Sequence, residues 1–230
     1  MGMAGGAAFI PTDIASLAYW FDASSGTYQD SARTTPATAD SDPVGGWEDL
    51  SGQARHLAQG TAGLRPTLRT AVLNGRSVLR FDGADDFLRK TFGANLPSQA
   101  TVFVVGKNTA NGGILHDGDD VAHRHQVYRR AAGTYAMFAG ALLEGPAADS
   151  NFHLFTAKFA SVSSVFRLDR AQVAAGDAGA EVMDALTVGA AFDNSSTVSG
   201  DIAAVLGYAA ALTASEIERV EDYLAARYGL

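Results

Sequence analysis

The chain has 230 residues, of which 47% are hydrophobic and only 18% are charged. This composition supplies enough apolar material for a sizeable core and excludes the low hydrophobicity of a disordered chain. The formal net charge is −8 and no cluster of Lys and Arg is present, so we expect no nucleic-acid partner and no attraction to anionic membranes. The absence of cysteine excludes disulfides, thiolate metal sites and cysteine nucleophiles.

The N-terminal residues predict neither export nor membrane insertion. Residues 1–13 are small and glycine-rich, which predicts a flexible leader, and they lack the basic and apolar regions of a signal peptide. No run of about 18 apolar residues occurs, so we expect no membrane-spanning segment. Residues 14–230 are predicted to form one domain, because β-sandwiches commonly reach this length as a single unit.

Short apolar segments separated by turn residues predict an all-β chain. Leu17–Phe21 is an aromatic first strand, and the polar interval from Asp22 to Pro43 predicts a surface loop. Asn74 and Gly75 lie between apolar runs and predict a type I′ hairpin, while residues 101–105 predict a strand covered on both faces. Further strands are predicted at residues 77–81, 126–128, 134–138, 152–159, 164–168, 186–190 and 202–208. This pattern favours a sandwich or a barrel.

One helix is predicted near the C-terminus. Thr213 and Glu216 have the spacing of a capping box, and Gly229 is placed to end the helix. The apolar residues that follow the cap at helical spacing are Ile217, Val220, Leu224 and Tyr228. We therefore expect one face of this helix to pack on the sandwich.

Several segments occur in an order typical of one superfamily. They are LAYWFD (17–22), WEDLSG (47–52), NGRSVLRFDG (74–83), DFL (86–88), FHLFT (152–156), LTVG (186–189), GDIAAVLGY (200–208), LTASE (212–216) and YLAARYG (223–229). In this ordered set the chain resembles the concanavalin A-like lectin/glucanase superfamily, in the laminin G-like form found in bacterial surface proteins and phage structural proteins. The resemblance implies an all-β, two-sheet antiparallel jelly-roll sandwich. It implies little about function, because this fold is shared by lectins, adhesion modules, hydrolases and structural spacers.

No catalytic motif is apparent in the sequence. The Glu-x-Asp-x-x-Glu spacing, which would place the carboxylates of a glucanase on one face of a strand, does not occur. Motifs of serine hydrolases, zinc proteases and nucleotide-binding proteins are also missing. On this ground we expect that the chain is not an enzyme.

The densest polar cluster lies between His116 and His125. Asp117, Asp119 and Asp120 could supply oxygen ligands to calcium, and His123 with His125 could hold a transition metal. The alternative is a solvated polar loop that precedes an exposed strand, because the full ligand pattern of an EF-hand is missing.

The strand after this loop carries residue types that stack on sugars and bind their hydroxyl or carboxyl groups. Two sets of side chains alternate along it, one with His123 and His125 and the other with Arg124 and Gln126. The predicted ligand-binding residues are Arg124, His125, Gln126, Tyr128, Arg130 and Tyr135. Ordinary exposed strand polarity is the alternative interpretation.

These observations predict a non-catalytic binding module, for a carbohydrate, on a phage virion or a cell-surface assembly. The alternatives are a structural decoration or spacer protein of a virion and, third, a polysaccharide-degrading enzyme. The expected partners are a surface glycan or other virion and surface proteins, and formation of homo-oligomers stays open. The missing signal peptide favours synthesis in the cytoplasm followed by assembly into a virion or display at an extracellular surface.

Overall fold

The computed structural model describes residues 8–230 and shows two antiparallel sheets and one α-helix within them. The strands, in chain order, are β1 Leu17–Asp22, β2 Thr27–Tyr28, β3 Gly46–Trp47, β4 Leu57–Ala58, β5 Thr67–Leu73, β6 Arg76–Asp82, β7 Leu88–Leu96, β8 Ala100–Asn108, β9 Ile114–Asp117, β10 Gln126–Arg129, β11 Thr134–Phe138, β12 Leu142–Ala147, β13 His153–Phe159, β14 Ser164–Leu168, β15 Ala171–Gly176, β16 Met183–Val188 and β17 Ser199–Tyr208. The helix α1 is Ala214–Tyr228, and short 3₁₀ turns lie at Pro11–Asp13, Ala62–Leu64 and Ser161–Ser163.

The strands divide into an eight-stranded and a nine-stranded sheet. The eight-stranded sheet has the order β15-β14-β13-β8-β17-β6-β5, and β1 also pairs with β17. The nine-stranded sheet has the order β12-β11-β10-β9-β16-β7-β4-β3-β2. The predicted all-β sandwich of two antiparallel sheets with one C-terminal helix is confirmed.

The main core lies between the two sheets. Large aromatic side chains from both sheets fill it, among them Phe21, Trp47, Phe81 and Phe155, all of which are fully buried. Burying such side chains removes a large apolar area from water and holds the sheets together.

A second core lies on the opposite face of the eight-stranded sheet, beneath α1. Phe103 and Val105 of β8 point into this second core, while Val102 and Val104 point into the main core. The prediction that this strand is covered on both faces is therefore confirmed.

Local signals at both ends of α1 appear as predicted. The Glu216 amide donates to the Thr213 hydroxyl at 3.3 Å, and the Thr213 amide donates to the Glu216 carboxylate at 2.9 Å. Gly229 adopts a left-handed φ of 72°, which ends the helix. The four apolar positions of the predicted stripe are all buried.

The predicted leader is only partly described, since residues 1–7 lie outside the described part of the chain. The Phe9 ring meets Tyr223 edge-on at 6.3 Å, and Pro11 is buried while its carbonyl accepts a hydrogen bond from the Tyr208 hydroxyl at 3.2 Å. Residues 9–11 are therefore packed against the helix and β17, because two apolar side chains interrupt the glycine-rich segment.

The predicted hairpin is confirmed, with positive φ at Asn74 (49°) and Gly75 (72°) between β5 and β6. Within residues 8–230, the structure contains no helix with the length and hydrophobicity needed to span a membrane.

Candidate functional site

The nine-stranded sheet exposes a polar face that points away from the sandwich. Val127 of β10 and its partner Met137 of β11 point into the main core, so the neighbouring Gln126, Tyr128 and Phe138 point the other way. We call the side of the sheet that carries these three residues the outer face.

Part of the predicted ligand-binding set meets on the outer face. Tyr128 and Arg130 alternate along the strand, and Arg124 precedes them; all three are partly exposed. Gln126 lies on the same side but is buried, and its side-chain amide donates to Asp117, which corrects its prediction as a ligand contact. The Arg124 guanidinium lies 4.6 Å from the centre of the Phe138 ring, which fixes it over an aromatic surface.

His125, in contrast, was wrongly predicted to contact a ligand. It is fully buried, and its ring stacks on Phe159 of the other sheet at 4.4 Å. Its Nε2 is 2.8 Å from the Glu181 carbonyl, to which it donates. Burial lowers the pKa of His125 to about 4, so the ring is neutral near neutral pH.

Tyr135 is likewise buried in the main core, which corrects its prediction as a ligand contact. Its ring meets Phe155 edge-on at 4.9 Å, and its hydroxyl donates to the Asp149 carbonyl at 3.1 Å. Both residues are buried because side chains alternate between the two faces of a strand, and each of these two points inward.

Tyr128 and Arg130 line an open cavity of about 280 Å³ on the outer face. The other lining residues are Gly112, Ile114, Ala131, Ala132 and Ser196. Arg130 pairs with Glu144, which also accepts a hydrogen bond from the Thr134 hydroxyl at 2.6 Å. Burial raises the pKa of the Tyr128 phenol, which therefore remains a hydrogen-bond donor at neutral pH. An aromatic ring and a guanidinium thus line the cavity together with small and apolar residues, and the Glu144 carboxylate is paired with that guanidinium.

The three predicted calcium ligands do not converge. Asp117 is fully buried, and it accepts hydrogen bonds from the Gln126 side-chain amide at 2.9 Å and the Phe192 backbone amide at 3.0 Å. Burial raises the pKa of Asp117 to about 6. Asp119 accepts from the Thr91 hydroxyl at 3.1 Å, while Asp120 contacts His123. The prediction of a shared calcium site at Asp117, Asp119 and Asp120 is therefore corrected. Asp117 is buried and bonded to other residues, and the three side chains have different partners.

A second concavity, which the sequence analysis missed, lies at one end of the eight-stranded sheet and has a volume of about 530 Å³. Arg80 and Lys107 both pair with the fully buried Asp201 in this groove, at 2.6 Å and 3.2 Å. Asp82 and Asp86 also line it. Burial and the neighbouring Asp82 charge raise the pKa of Asp86 to about 6. The one feature of the sequence that could have indicated this groove is the acidic turn after β6, and such a composition is typical of ordinary turns.

Comparison with solved structures identifies several similar folds. Trypanosoma rangeli sialidase in complex with sialic acid matches with a TM-score of 0.60 and 12% identity, over 96% of this chain and 35% of the sialidase. A GH54 α-L-arabinofuranosidase soaked with a cyclic sulfate inhibitor matches with a TM-score of 0.61 and 16% identity, over 81% of this chain and 51% of the arabinofuranosidase. The binding domain of Paraclostridial Mosquitocidal Protein 1 matches with a TM-score of 0.59 and 11% identity, over 93% of this chain and 53% of the binding domain.

No protein-family model and no curated protein matches the chain. The likeness to solved structures therefore shows the β-sandwich fold, and the narrower superfamily remains a resemblance. The chain spans between about a third and about half of the length of these three structures.

The expectation that this chain is not an enzyme is contradicted by these comparisons. Two of the three structures with a similar fold are glycoside hydrolases. The absence of a linear motif does not exclude catalysis, because residues from separate strands and turns can form a catalytic pair.

Proposed function

We propose that this chain is a carbohydrate-binding β-sandwich that holds a glycan on the outer face of its nine-stranded sheet. The observation that carries the proposal is the cavity lined by Tyr128 and Arg130, beside the Arg124 guanidinium on the Phe138 ring. Glycan binding at the surface of a virion or a cell is part of the same proposal, supported by the superfamily resemblance.

The chemistry of the cavity suits a sugar. A sugar ring offers an apolar face that packs against an aromatic side chain, and hydroxyl groups that both donate and accept hydrogen bonds. The Tyr128 ring supplies the first contact, while the Arg130 and Glu144 pair supplies a donor and an acceptor. The volume of about 280 Å³ lies just below the range of about 300 to 1,000 Å³ for small-molecule sites, which fits one or two sugar units better than a long chain.

The neighbouring structures support the same ligand class. One of them is a sialidase in complex with sialic acid, another is an arabinofuranosidase soaked with a cyclic sulfate inhibitor, and the third is a binding domain. In this chain the outer face presents the Tyr128 ring and the Arg130 guanidinium at a cavity.

We expect the double substitution Tyr128→Ala with Arg130→Ala to weaken glycan binding at least about tenfold, equivalent to roughly 1.4 kcal/mol. The change removes the stacking ring and the guanidinium, while both side chains are partly exposed, so the melting temperature should change little. Glycan-array screening followed by calorimetry with the best ligand measures the effect.

Arg69→Ala is the matched control, because Arg69 lies on β5 of the other sheet, is partly exposed and pairs with the Asp40 carboxylate. It should bind glycan as the parent does. If the double variant also binds as the parent does, the cavity is not the glycan site. If the parent binds no glycan on the array, the proposed function itself is wrong.

Glycoside hydrolysis is a second candidate function, favoured by one observation in the groove. Oxygen atoms of the Asp82 and Asp86 carboxyl groups lie no more than 4.8 Å apart, which is shorter than the separation of about 5 to 5.5 Å used by retaining glycosidases but brings two carboxyl groups together in one groove. With its raised pKa, Asp86 would protonate the leaving oxygen while the Asp82 carboxylate attacks the anomeric carbon, and water then releases the sugar.

For this second function we expect Asp86→Asn to abolish release of nitrophenol from a responsive aryl glycoside. The amide retains an oxygen that can accept the hydrogen bond from the Asp82 backbone amide, so the turn should persist. In the parent, activity should fall as the pH rises through about 6, because the acid then loses its proton. Activity that Asp86→Asn retains in full would remove Asp86 from catalysis, and no turnover across a broad panel would reject this function.

A further inference from the structure

A histidine and two aspartates converge at one end of the outer face. Asp120 and His123 belong to the loop between β9 and β10, and Asp184 lies on β16. The His123 Nδ1 atom is 2.8 Å from Asp120 Oδ2 and 3.6 Å from Asp184 Oδ2. One ligand atom from each residue lies within 4.8 Å of the other two. All three side chains are partly exposed, so an ion could reach them from solvent.

The carboxyl groups around His123 outnumber the positive charges, which favours the binding of a cation. The Asp119 carboxyl group lies against that of Asp184, so two acidic groups are in direct contact. The Oδ1 atom of Asp184 is itself buried and has no hydrogen-bond partner among residues 8–230. The other oxygen of the same carboxylate, Oδ2, faces His123, so a cation bound at Oδ2 would offset the charge of this partly desolvated group.

The basic groups nearby do not supply that cation. The Arg124 guanidinium faces Glu181 at 3.6 Å and rests on the Phe138 ring. The Arg89 guanidinium donates to the Thr187 hydroxyl at 2.7 Å and to the Phe192 carbonyl at 2.6 Å. Within the cluster, His123 is the one group that can carry a positive charge, against three carboxyl groups.

We propose that Asp120, His123 and Asp184 form a binding site for a divalent transition-metal ion, with Zn²⁺ as the best fit. Imidazole nitrogen and carboxylate oxygen are both zinc ligands in proteins, and a water molecule can take the fourth position because the site is open to solvent. Calcium fits less well, because it takes roughly six to eight oxygen ligands and this site offers an imidazole and few oxygens.

The existing geometry is close to what zinc requires. Ligand atoms bonded at about 2.1 Å in a tetrahedron lie about 3.4 Å apart. The separation of 3.6 Å between His123 Nδ1 and Asp184 Oδ2 already matches this value. The separation of 2.8 Å to Asp120 is that of a hydrogen bond and must widen by about 0.6 Å, which a partly exposed loop side chain can accommodate.

This site differs from both metal sites that the sequence suggested. Asp117 and His125 are buried and engaged elsewhere, so neither can bind an ion at the surface. Asp184 replaces them because β16 pairs with β9 and brings Asp184 beside the loop. The proposal does not depend on glycan binding.

The test is a titration of the metal-free protein with ZnCl₂ and, separately, with CaCl₂, followed by calorimetry and by melting temperature. We expect Zn²⁺ to bind and raise the melting temperature, as any ligand specific for the folded state does. His123→Gln and Asp184→Asn should each weaken zinc binding at least tenfold. Melting of both variants in EDTA shows that they fold, so that a loss of binding is not a loss of structure.

Asp85→Asn is the matched control, because Asp85 belongs to a cluster of three carboxylates without a histidine on the acidic turn after β6. It should bind zinc as the parent does. Zinc affinity that is unchanged in both His123→Gln and Asp184→Asn would overturn the proposal, as would an absence of zinc binding by the parent. Calcium binding as tight as that of zinc, and unaffected by His123→Gln, would overturn the choice of metal.

Discussion

Removal of residues 213–230 is expected to abolish soluble, cooperatively melting protein. The truncation strips α1 from the eight-stranded sheet and exposes the second core, including Phe103 and Leu206. Val220, Leu224 and Tyr228 are almost completely buried there, and each such side chain contributes about 1.5 to 3 kcal/mol. The loss is comparable to the whole stability of an ordinary domain. Soluble yield and a thermal melt followed by circular dichroism measure it.

A chain that ends at Gly229 is the control for this truncation. It removes only Leu230, which is partly exposed, and retains the complete helix with its C-terminal glycine. It should melt as the parent does. If the chain that ends at Leu212 melted at the same temperature as the parent, α1 would be an appendage and not part of the fold.

Arg167→Ala is expected to lower the free energy of unfolding by about 3 to 5 kcal/mol. Its partner Glu221 lies on the buried face of α1 and is fully buried, where it accepts two hydrogen bonds from the Arg167 guanidinium, at 2.8 Å and 2.9 Å. The Thr156 hydroxyl of β13 donates a further bond to the same carboxylate at 2.8 Å. Without Arg167 the Glu221 charge stays buried without a counter-ion, which is costly. Urea unfolding of the two proteins gives the difference.

The neighbouring pair between Arg170 and Asp222 provides a matched control. This pair joins the turn between β14 and β15 to α1, and both of its side chains are more than half exposed. Water screens such a pair, so Arg170→Ala should cost no more than about 1 kcal/mol. Equal losses for Arg167→Ala and Arg170→Ala would mean that burial does not set the strength of these ion pairs.

Local signals explain the elements that could be predicted from the sequence. The ends of α1 are specified by Thr213, Glu216 and Gly229, which act within one turn of the helix. The β5–β6 hairpin is specified by two residues that tolerate positive φ. The apolar run of β8 is long enough to require cover on both faces, so it too could be identified without knowledge of its neighbours.

Other strands carry no comparable signal. β12 contains Gly145 and Pro146, and β15 consists largely of alanine and glycine, so neither has the composition of a strand. They are strands because they extend the edges of the two sheets, pairing with β11 and β14. β7 was also missed, since its apolar positions are interrupted by Arg89, Lys90 and Thr91 on a partly solvated sheet.

The sequence alone determined that alternate residues from Arg124 to Arg130 share one side of a strand, because side chains alternate with a period of two. It could not determine which side faces solvent. That was decided by tertiary packing, which stacks His125 on Phe159 and leaves Tyr128 and Arg130 at the cavity.

The sequence also determined that acidic residues and histidines are concentrated before β10, which is why a metal site was predicted there. Only the tertiary structure decided which of them can act together. Pairing of β16 with β9 brings Asp184, distant along the chain, beside His123, while burial removes Asp117 from the surface. Contacts between distant strands depend on the register of the whole sheet, and no local pattern of residues encodes that register.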